Sequence, residues 1–427
     1  WINQRDPAFD QFISLGDKKN ATIKTIFDVY SMGVKTNRDD WVYNFSKQSL
    51  SVNVSNMIDF YNQQVDGYFS TPLNSRLPSE QFINTDSKKI KWTEDVIKNL
   101  TKGKKFNFTE DIIREVIRRP FCKQLLYYSK DLNWTHHLMP KIFPDHYNSN
   151  IVIYITGTGI TKDFSAVATN LLSDFQLQAN GQGFPLYTYE KQEDDQSQPS
   201  IPGMETQTEG YTRKENIPDS ILIDFQNTYA DRTLTKEDIF YYVYGILHSP
   251  EYKTRFAADL KKMLPRIPYA EDFWAFSKAG RELAHWHLHY ETIEPYPLNE
   301  YQDLLYLDEK EYRVEKMIFG KRNKDKTMII YNSHINLSDI PLEAYDYIVN
   351  GKSAIEWIME RYQITKDKDS GIVNDPNDWS DDPRYIIDLV KRIVRVSLET
   401  VKIVNSLPPL NERSPSWLIA IISDNGI

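Results

Sequence analysis

Cysteine is almost absent. Cys122 is the only one in 427 residues, so neither an internal disulfide nor a cysteine zinc cluster can form. That usage suits a reducing compartment and predicts a cytoplasmic protein. No apolar run approaches the roughly eighteen residues a membrane helix needs, so no membrane partner is expected. No secretory signal is visible, and the chain opens Trp1-Ile-Asn without Met, which reads as an excised or processed piece. An excess of positive charge is missing too. The formal net charge of −9 argues against an indiscriminate nucleic-acid binder and leaves room for a local basic face.

Several chemistries lack their residues. A base methyltransferase needs an Asn/Asp-Pro-Pro-aromatic loop, and the only Pro-Pro, Pro408-Pro409, is followed by Leu410. Thr156-Gly-Thr-Gly159 has Lys162 where a dinucleotide fingerprint needs its third glycine, so the glycines are expected to make a turn. Neither a P-loop nor a nucleophile elbow occurs. Pro218-Asp219 with Glu251-Tyr-Lys253 imitates a magnesium nuclease, but the Glu and Lys fall in a helix start rather than a strand. His285-Trp-His287-Leu-His289 is the best metal candidate. On a strand its three rings would share a face; on a helix only His285 and His289 pair, and a packed or capping role competes.

What is present is aromatic and well punctuated. Tyr 27 and Phe 20 are high counts, and an aromatic content of 13% argues against disorder. Ile239 to Tyr290 reads as a helical scaffold. A hydrophobic helix with a break at Gly245 is followed by a helix capped by Ser249 with Pro250 in its first turn. A rigid Leu264-Pro-Arg-Ile-Pro268 turn then leads to a third helix from about Glu271.

Elsewhere, helical spacing predicts helices over Val52 to Val65 and Thr109 to Arg119, the latter ended by Pro120. Strands are expected at Ile151 to Ile155, Phe184 to Tyr189 and Ile221 to Phe225. A hairpin is expected around Gly320 to Lys326, and helices at Glu343 to Val349, Ser353 to Tyr362 and Tyr385 to Val404. Glu190 to Ile217, acidic at first and rich in Gln, Ser and Thr, reads as a long loop set away from any phosphate-binding face. Gly33 is expected to permit a tight turn after which Lys35, Asn37 and Arg38 present donors; docking on a neighbour or plain capping would use them equally. The whole is an α+β (mixed α/β) chain, with a helical N-terminal part, a central mixed sheet with helices and a helical C-terminal part.

Five blocks carry a family resemblance: SMGVKTNRDDWVYNF at 31–45, RRPFCKQLLYYSKDLNW at 118–134, GQGFPLYTY at 181–189, YGILHSPEYKTRFAADLKKMLPRIPYAEDFWAFSKAGRELAHWHLHYE at 244–291 and AYDYIVNGKSAIEWIMERYQITKDKDSGIVNDPNDW at 344–379. In this order they resemble the C-terminal specificity region of type ISP restriction-modification enzymes. The resemblance implies a target recognition domain that clamps duplex DNA against a preceding adenine methyltransferase domain of the same parent chain. The parent would use S-adenosylmethionine, ATP and Mg; this fragment would use no cofactor and hold no catalytic residue. By the same resemblance 1–45 would be a connector; residue spacing reads 46–150 as a mainly helical part, 151–342 as a mixed core and 343–427 as a helical end.

Donor chemistry on loops and turns nominates Lys35, Asn37, Arg38, Arg119, Lys123, Lys162, Gln182 and Arg266 for DNA contact. Two other classes stay open: a protein-interaction or coupling module, favoured by the acidic and Tyr-rich composition, and a metal-dependent enzyme on His285 and His289.

Overall fold

The computed structural model describes residues 5–20, 22–192, 210–303 and 308–413. The fold is mixed α+β, with helices packed around small antiparallel sheets. Most of the loop expected over Glu190 to Ile217 lies outside the described residues. Its ends, Tyr187–Lys191 and Tyr211–Glu215, pair as antiparallel strands.

The β-branched run at 151–155 gives the expected strand, Val152–Ile155, buried along its length. It is the middle of three strands, between Ala166–Thr169 and Gln182–Pro185. Tyr154 faces Gly183, and a Cβ there would stand 2.5 Å from the Tyr154 ring, so only glycine lets the ring lie across the neighbouring strand.

The 236–290 scaffold is helical as expected. Thr235 and Asp238 form a reciprocal cap on Lys236–His248, which is buried on every side from Ile239 to His248. Ser249 accepts from Tyr252 N and starts Pro250–Arg255, and Asp272 accepts from Ala275 N and starts Phe273–Leu288. Gly245 does not break the first helix. A Cβ on it would lie 2.2 Å from Phe276 O, and one on Gly280 would lie 1.8 Å from Tyr241 O. The two glycines are where the 236–248 and 273–288 helices cross in backbone contact.

Three other expectations change. Thr109 to Arg119 is not a helix: Ile113–Arg119 is a strand paired with Cys122–Tyr127. Its β-branched residues pack flat, and Pro120-Phe121, with Phe121 at φ 58°, closes a two-residue turn. Ile221 to Phe225 is not a strand. It lies in the helix Asp219–Tyr229, which buries Ile221 and Phe225 one turn apart and leaves Ile223 50% exposed. Glu343 to Val349 forms only the short 3-10 turn Leu342–Tyr345. Ile348–Val349 then pairs with Lys352–Ser353 around Asn350-Gly351, both left-handed at φ 51° and 82°. The 320–326 hairpin, Ala354–Arg361 and Tyr385–Asn405 form as expected.

Two hydrophobic cores result. One gathers Val54, Val116, Leu126, Ile358 and Ile393; the other gathers Phe9, Ile153, Phe240 and Phe276. Each draws on widely separated stretches of the chain. Glu300 fastens the strand Asn299–Gln302 to the C-terminal helix, accepting from Arg384 at 2.9 Å and Lys391 at 2.6 Å. Burial pushes its carboxyl up, but the hydrogen bonds from Arg384 and Lys391 outweigh it and hold the pKa at about 2. The folded value is depressed, so this stability is present above the ordinary value of 4.5 and lost as pH falls toward about 2. The unfolding-midpoint gap between wild type and Glu300→Gln is therefore expected to narrow as pH is lowered through that window. A gap independent of pH would remove the ion pairs as its cause.

Candidate functional site

Four cations meet in a cleft of about 900 Å³. Its outer wall forms where Ile13–Ser14 pairs with Arg266–Ile267, Ser14 opposite Arg266. Leu15 N donates to Pro265 O at 2.9 Å, so the prolines of the 264–268 turn hold Arg266 beside the 14–19 strip. Its inner wall is the edge of the 182–185 strand. Ser31 and Gly183 exchange backbone hydrogen bonds of 2.9 and 2.7 Å there. Lys18, Lys19, Lys262 and Arg266 line the cleft against a single carboxylate, Asp17.

Asp17 is occupied by its own loop. It accepts from Lys19 N at 2.7 Å and Asn20 N at 3.0 Å, and these bonds hold its carboxyl below the usual range. Lys18 Nζ stands 4.2 Å over the Tyr30 ring, and loss of water lowers its pKa. Arg266 donates Nη1 to the carbonyls of Asp10 (3.1 Å) and Phe12 (3.4 Å), contacts that aim the guanidinium without neutralising it. His137, at φ 48°, also lines the cleft; burial and then the charges of Lys18 and Lys35 push its pKa down, so it stays neutral. Gln182 reaches the same space, and its buried Oε1 has no partner among the described residues. The arrangement can grip a polyanion and offers one unspent amide within the grip.

Of the eight residues nominated from the sequence, Gln182 and Arg266 line the cleft. Lys35 stands at its flank, Nζ 5.6 Å over the Phe175 ring that stacks on His137. Asn37 follows at φ 57°, and Lys162 is exposed beside Gly351. The others face inward. Arg38 is 1% exposed, bonded to Thr93, and burial pulls its pKa to about 10. Arg119 donates to Asp174 at 2.5 Å, and Lys123 pairs with Glu115 at 2.8 Å and Glu291 at 2.5 Å. Donor type alone selected them, and carboxylates pair with all three, Arg38 lying 3.9 Å from Asp95. Gly33 makes no tight turn: it lies in an extended strip where a Cβ would stand 2.4 Å from Asp174 O.

Lys18, Lys19, Lys262 and His137 were missed. The usable signal was Asp17-Lys-Lys-Asn20 directly after Gly16, and Lys261-Lys262 ahead of the rigid Pro265-Arg266 corner. The histidine trio does not converge. His285 and His289 are exposed, while His287 is buried between Tyr244 Oη (2.6 Å) and Thr400 Oγ1 (2.9 Å). Among the described residues no group of three His, Cys, Asp or Glu side chains could hold a metal ion. No helix there is long and apolar enough to cross a membrane.

The family model described as the type ISP C-terminal specificity domain matches residues 25–389. Among solved structures, the chain is similar to a nuclease-deletion mutant of the type ISP restriction-modification enzyme LlaGI in complex with a DNA substrate mimic. Identity is 34% and the TM-score 0.82, over 97% of this chain and 36% of that one. It is similar to the ATP-dependent type ISP enzyme LlaBIII bound to DNA, at 32% identity and TM-score 0.83, over 97% of this chain and 25% of that one. A DrdV–DNA complex gives 30% identity and TM-score 0.81, covering 96% and 40%. The chain thus spans between a quarter and two fifths of the structures it matches. No curated protein matches it.

Proposed function

The chain belongs to the type ISP C-terminal specificity domain family, and on that premise we propose that it recognises a duplex DNA target for a site-specific adenine methyltransferase and ATP-dependent endonuclease. One observation carries the reading: a chain of net charge −9 concentrates four cations in one cleft whose single carboxylate is engaged by its own backbone. In this reading Lys18, Lys19, Lys262 and Arg266 hold phosphates. Gln182 reads a base edge with its free amide, a geometry suited to adenine. Lys35, Asn37 and Lys162 extend the contact surface, whereas Arg38, Arg119 and Lys123 hold the fold. Residues 1–45 join a preceding methyltransferase domain, the partner against which DNA is clamped. S-adenosylmethionine, ATP and Mg belong to the parent chain.

Binding of the chain to duplex oligonucleotides across a salt series tests this. Lys262→Ala and Arg266→Ala are each expected to weaken cognate and scrambled duplexes alike and to lower the salt slope by about one. Gln182→Ala is expected to lose about 1–3 kcal/mol on the cognate site only. If the folded chain holds no duplex at low salt, or the cleft variants bind as wild type does, the chain is a protein-interaction module instead.

A further inference from the structure

A second cavity, of about 550 Å³, lies under the corner where the 236–248 helix passes into Pro250–Arg255. It shares no lining residue with the basic cleft. The C-terminal helix supplies its far wall through Thr400 and Asn405. Lys253, His248 and the buried Tyr347 hydroxyl each keep a polar atom with no partner among the described residues. Lys253 has no hydrogen-bond or ion-pair partner among the described residues, and loss of water with no compensating carboxylate lowers its pKa. His248 is 4% exposed, and its Nδ1 lies 2.8 Å from Tyr244 O, which can only accept. The Nδ1 therefore carries the proton, and Nε2 keeps a lone pair that no described group uses.

The other charged groups at the cavity are peripheral. Asp163, with a side chain 95% exposed, lies 3.8 Å from Lys261 at the rim, and Asp346 is exposed. His287, deeper in, is kept neutral by burial and by the neighbouring His248. The interior thus offers one uncompensated cation, one uncompensated imidazole acceptor and the unpaired Tyr347 hydroxyl. A carboxylate or sulfate would satisfy the cation and oppose the acceptor. An anion that also bears an O–H satisfies both, and inorganic phosphate and phosphate monoesters are the common anions of that kind. A phosphodiester backbone has no such O–H. The volume lies within the range of small-molecule sites, about 300–1,000 Å³.

We propose that this cavity binds a phosphate monoester of mononucleotide size or inorganic phosphate, with Lys253 as counter-ion and His248 Nε2 accepting the phosphate hydroxyl. The imidazole stays neutral, and the protonated form of the ligand is selected. Affinity rises as pH falls through the ligand's second phosphate ionisation, near pH 6 for a monoester.

The test uses calorimetry of the purified chain with inorganic phosphate and, at matched ionic strength, with sulfate, which has the same shape and no proton at neutral pH. One phosphate is expected to bind, about tenfold more tightly than sulfate, since sulfate leaves the buried acceptor unmet. Lys253→Met keeps the aliphatic stem and is expected to abolish phosphate binding. In the unaltered chain, the His248 Nε2 resonance is expected to shift on phosphate addition without protonation of the ring, a readout that stands if the variant does not fold. Equal binding of phosphate and sulfate, an unmoved His248, or a folded Lys253→Met that still binds phosphate would overturn the proposal. So would displacement of phosphate by a duplex oligonucleotide, which would make a diester backbone the occupant.

Discussion

Arg119→Ala is expected to destabilise the fold by about 3–5 kcal/mol, one of the two largest losses predicted for a single substitution in this chain. Arg119 ends the 113–119 strand with its side chain 15% exposed, and the Asp174 carboxylate it reaches is 4% exposed. Burial pushes the Asp174 pKa up; the nearby Arg119 opposes that and keeps the charge tolerable. Removing the guanidinium leaves a buried carboxylate with less to balance it. The loss should therefore be greatest at neutral pH and shrink as pH falls toward the carboxylate range, where Asp174 takes up a proton and needs no partner. Urea unfolding of wild type, Arg119→Ala, Asp174→Asn and the double variant at two pH values reads this as a coupling energy. Folded Arg119→Ala is expected to bind duplex DNA as wild type does. A stable Arg119→Ala chain with a reduced salt slope would instead return Arg119 to the DNA face.

Gly280→Ala is the second. Alanine in a helix interior normally gains about 0.5–1 kcal/mol over glycine. Here the added methyl would stand 1.8 Å from Tyr241 O and 2.8 Å from Gly245 N, both backbone atoms of the crossing helix. Neither can rotate away, so the helices must part and loosen the core around Phe240 and Phe276. A loss of about 3 kcal/mol is expected, at the upper end for overpacking. Gly67→Ala is the control. It lies in the Lys47–Ser70 helix, and its nearest neighbour is the Phe82 ring edge at 3.3 Å, a side chain that can shift. Its urea midpoint should move far less than that of Gly280→Ala, and equal shifts would mean the crossing is not the tight point.

The features legible in the sequence were those fixed by neighbours along the chain. Ser249-Pro250 and Asp272 mark helix starts because a cap acts within one turn. The 152–155 strand is visible because every residue in it is apolar or β-branched and buried. The errors came where local spacing fits two structures. Ile113, Val116 and Ile117 match a helical stripe as well as a strand, and only pairing with Cys122–Tyr127 decides. Ile221 and Phe225 alternate like a strand yet are also one helical turn apart.

The site was less legible than the fold. Arg266 stood out because prolines hold it, whereas Gln182 was nominated for its donor chemistry alone. Whether a cation is free depends on which carboxylate folds against it. Asp174 and Glu291, which claim Arg119 and Lys123, are distant along the chain, as are the Lys18 and Lys262 that complete the cleft.

The pairing of Ser14 with Arg266 also bears on synthesis. The ribosome releases Lys18 and Lys19 long before Lys262 and Arg266 exist. Phe9 waits equally long for Phe256, whose ring it meets at 5.2 Å, and Phe27 for Phe240 at 6.0 Å. A nascent chain halted before Phe240 carries an N-terminal strip whose aromatic side chains lack these two partners. The cleft wall built from this pairing therefore waits for residue 267, and closing so long a loop is slow. A chain cut short before the 264–268 turn is left without this wall of the cleft.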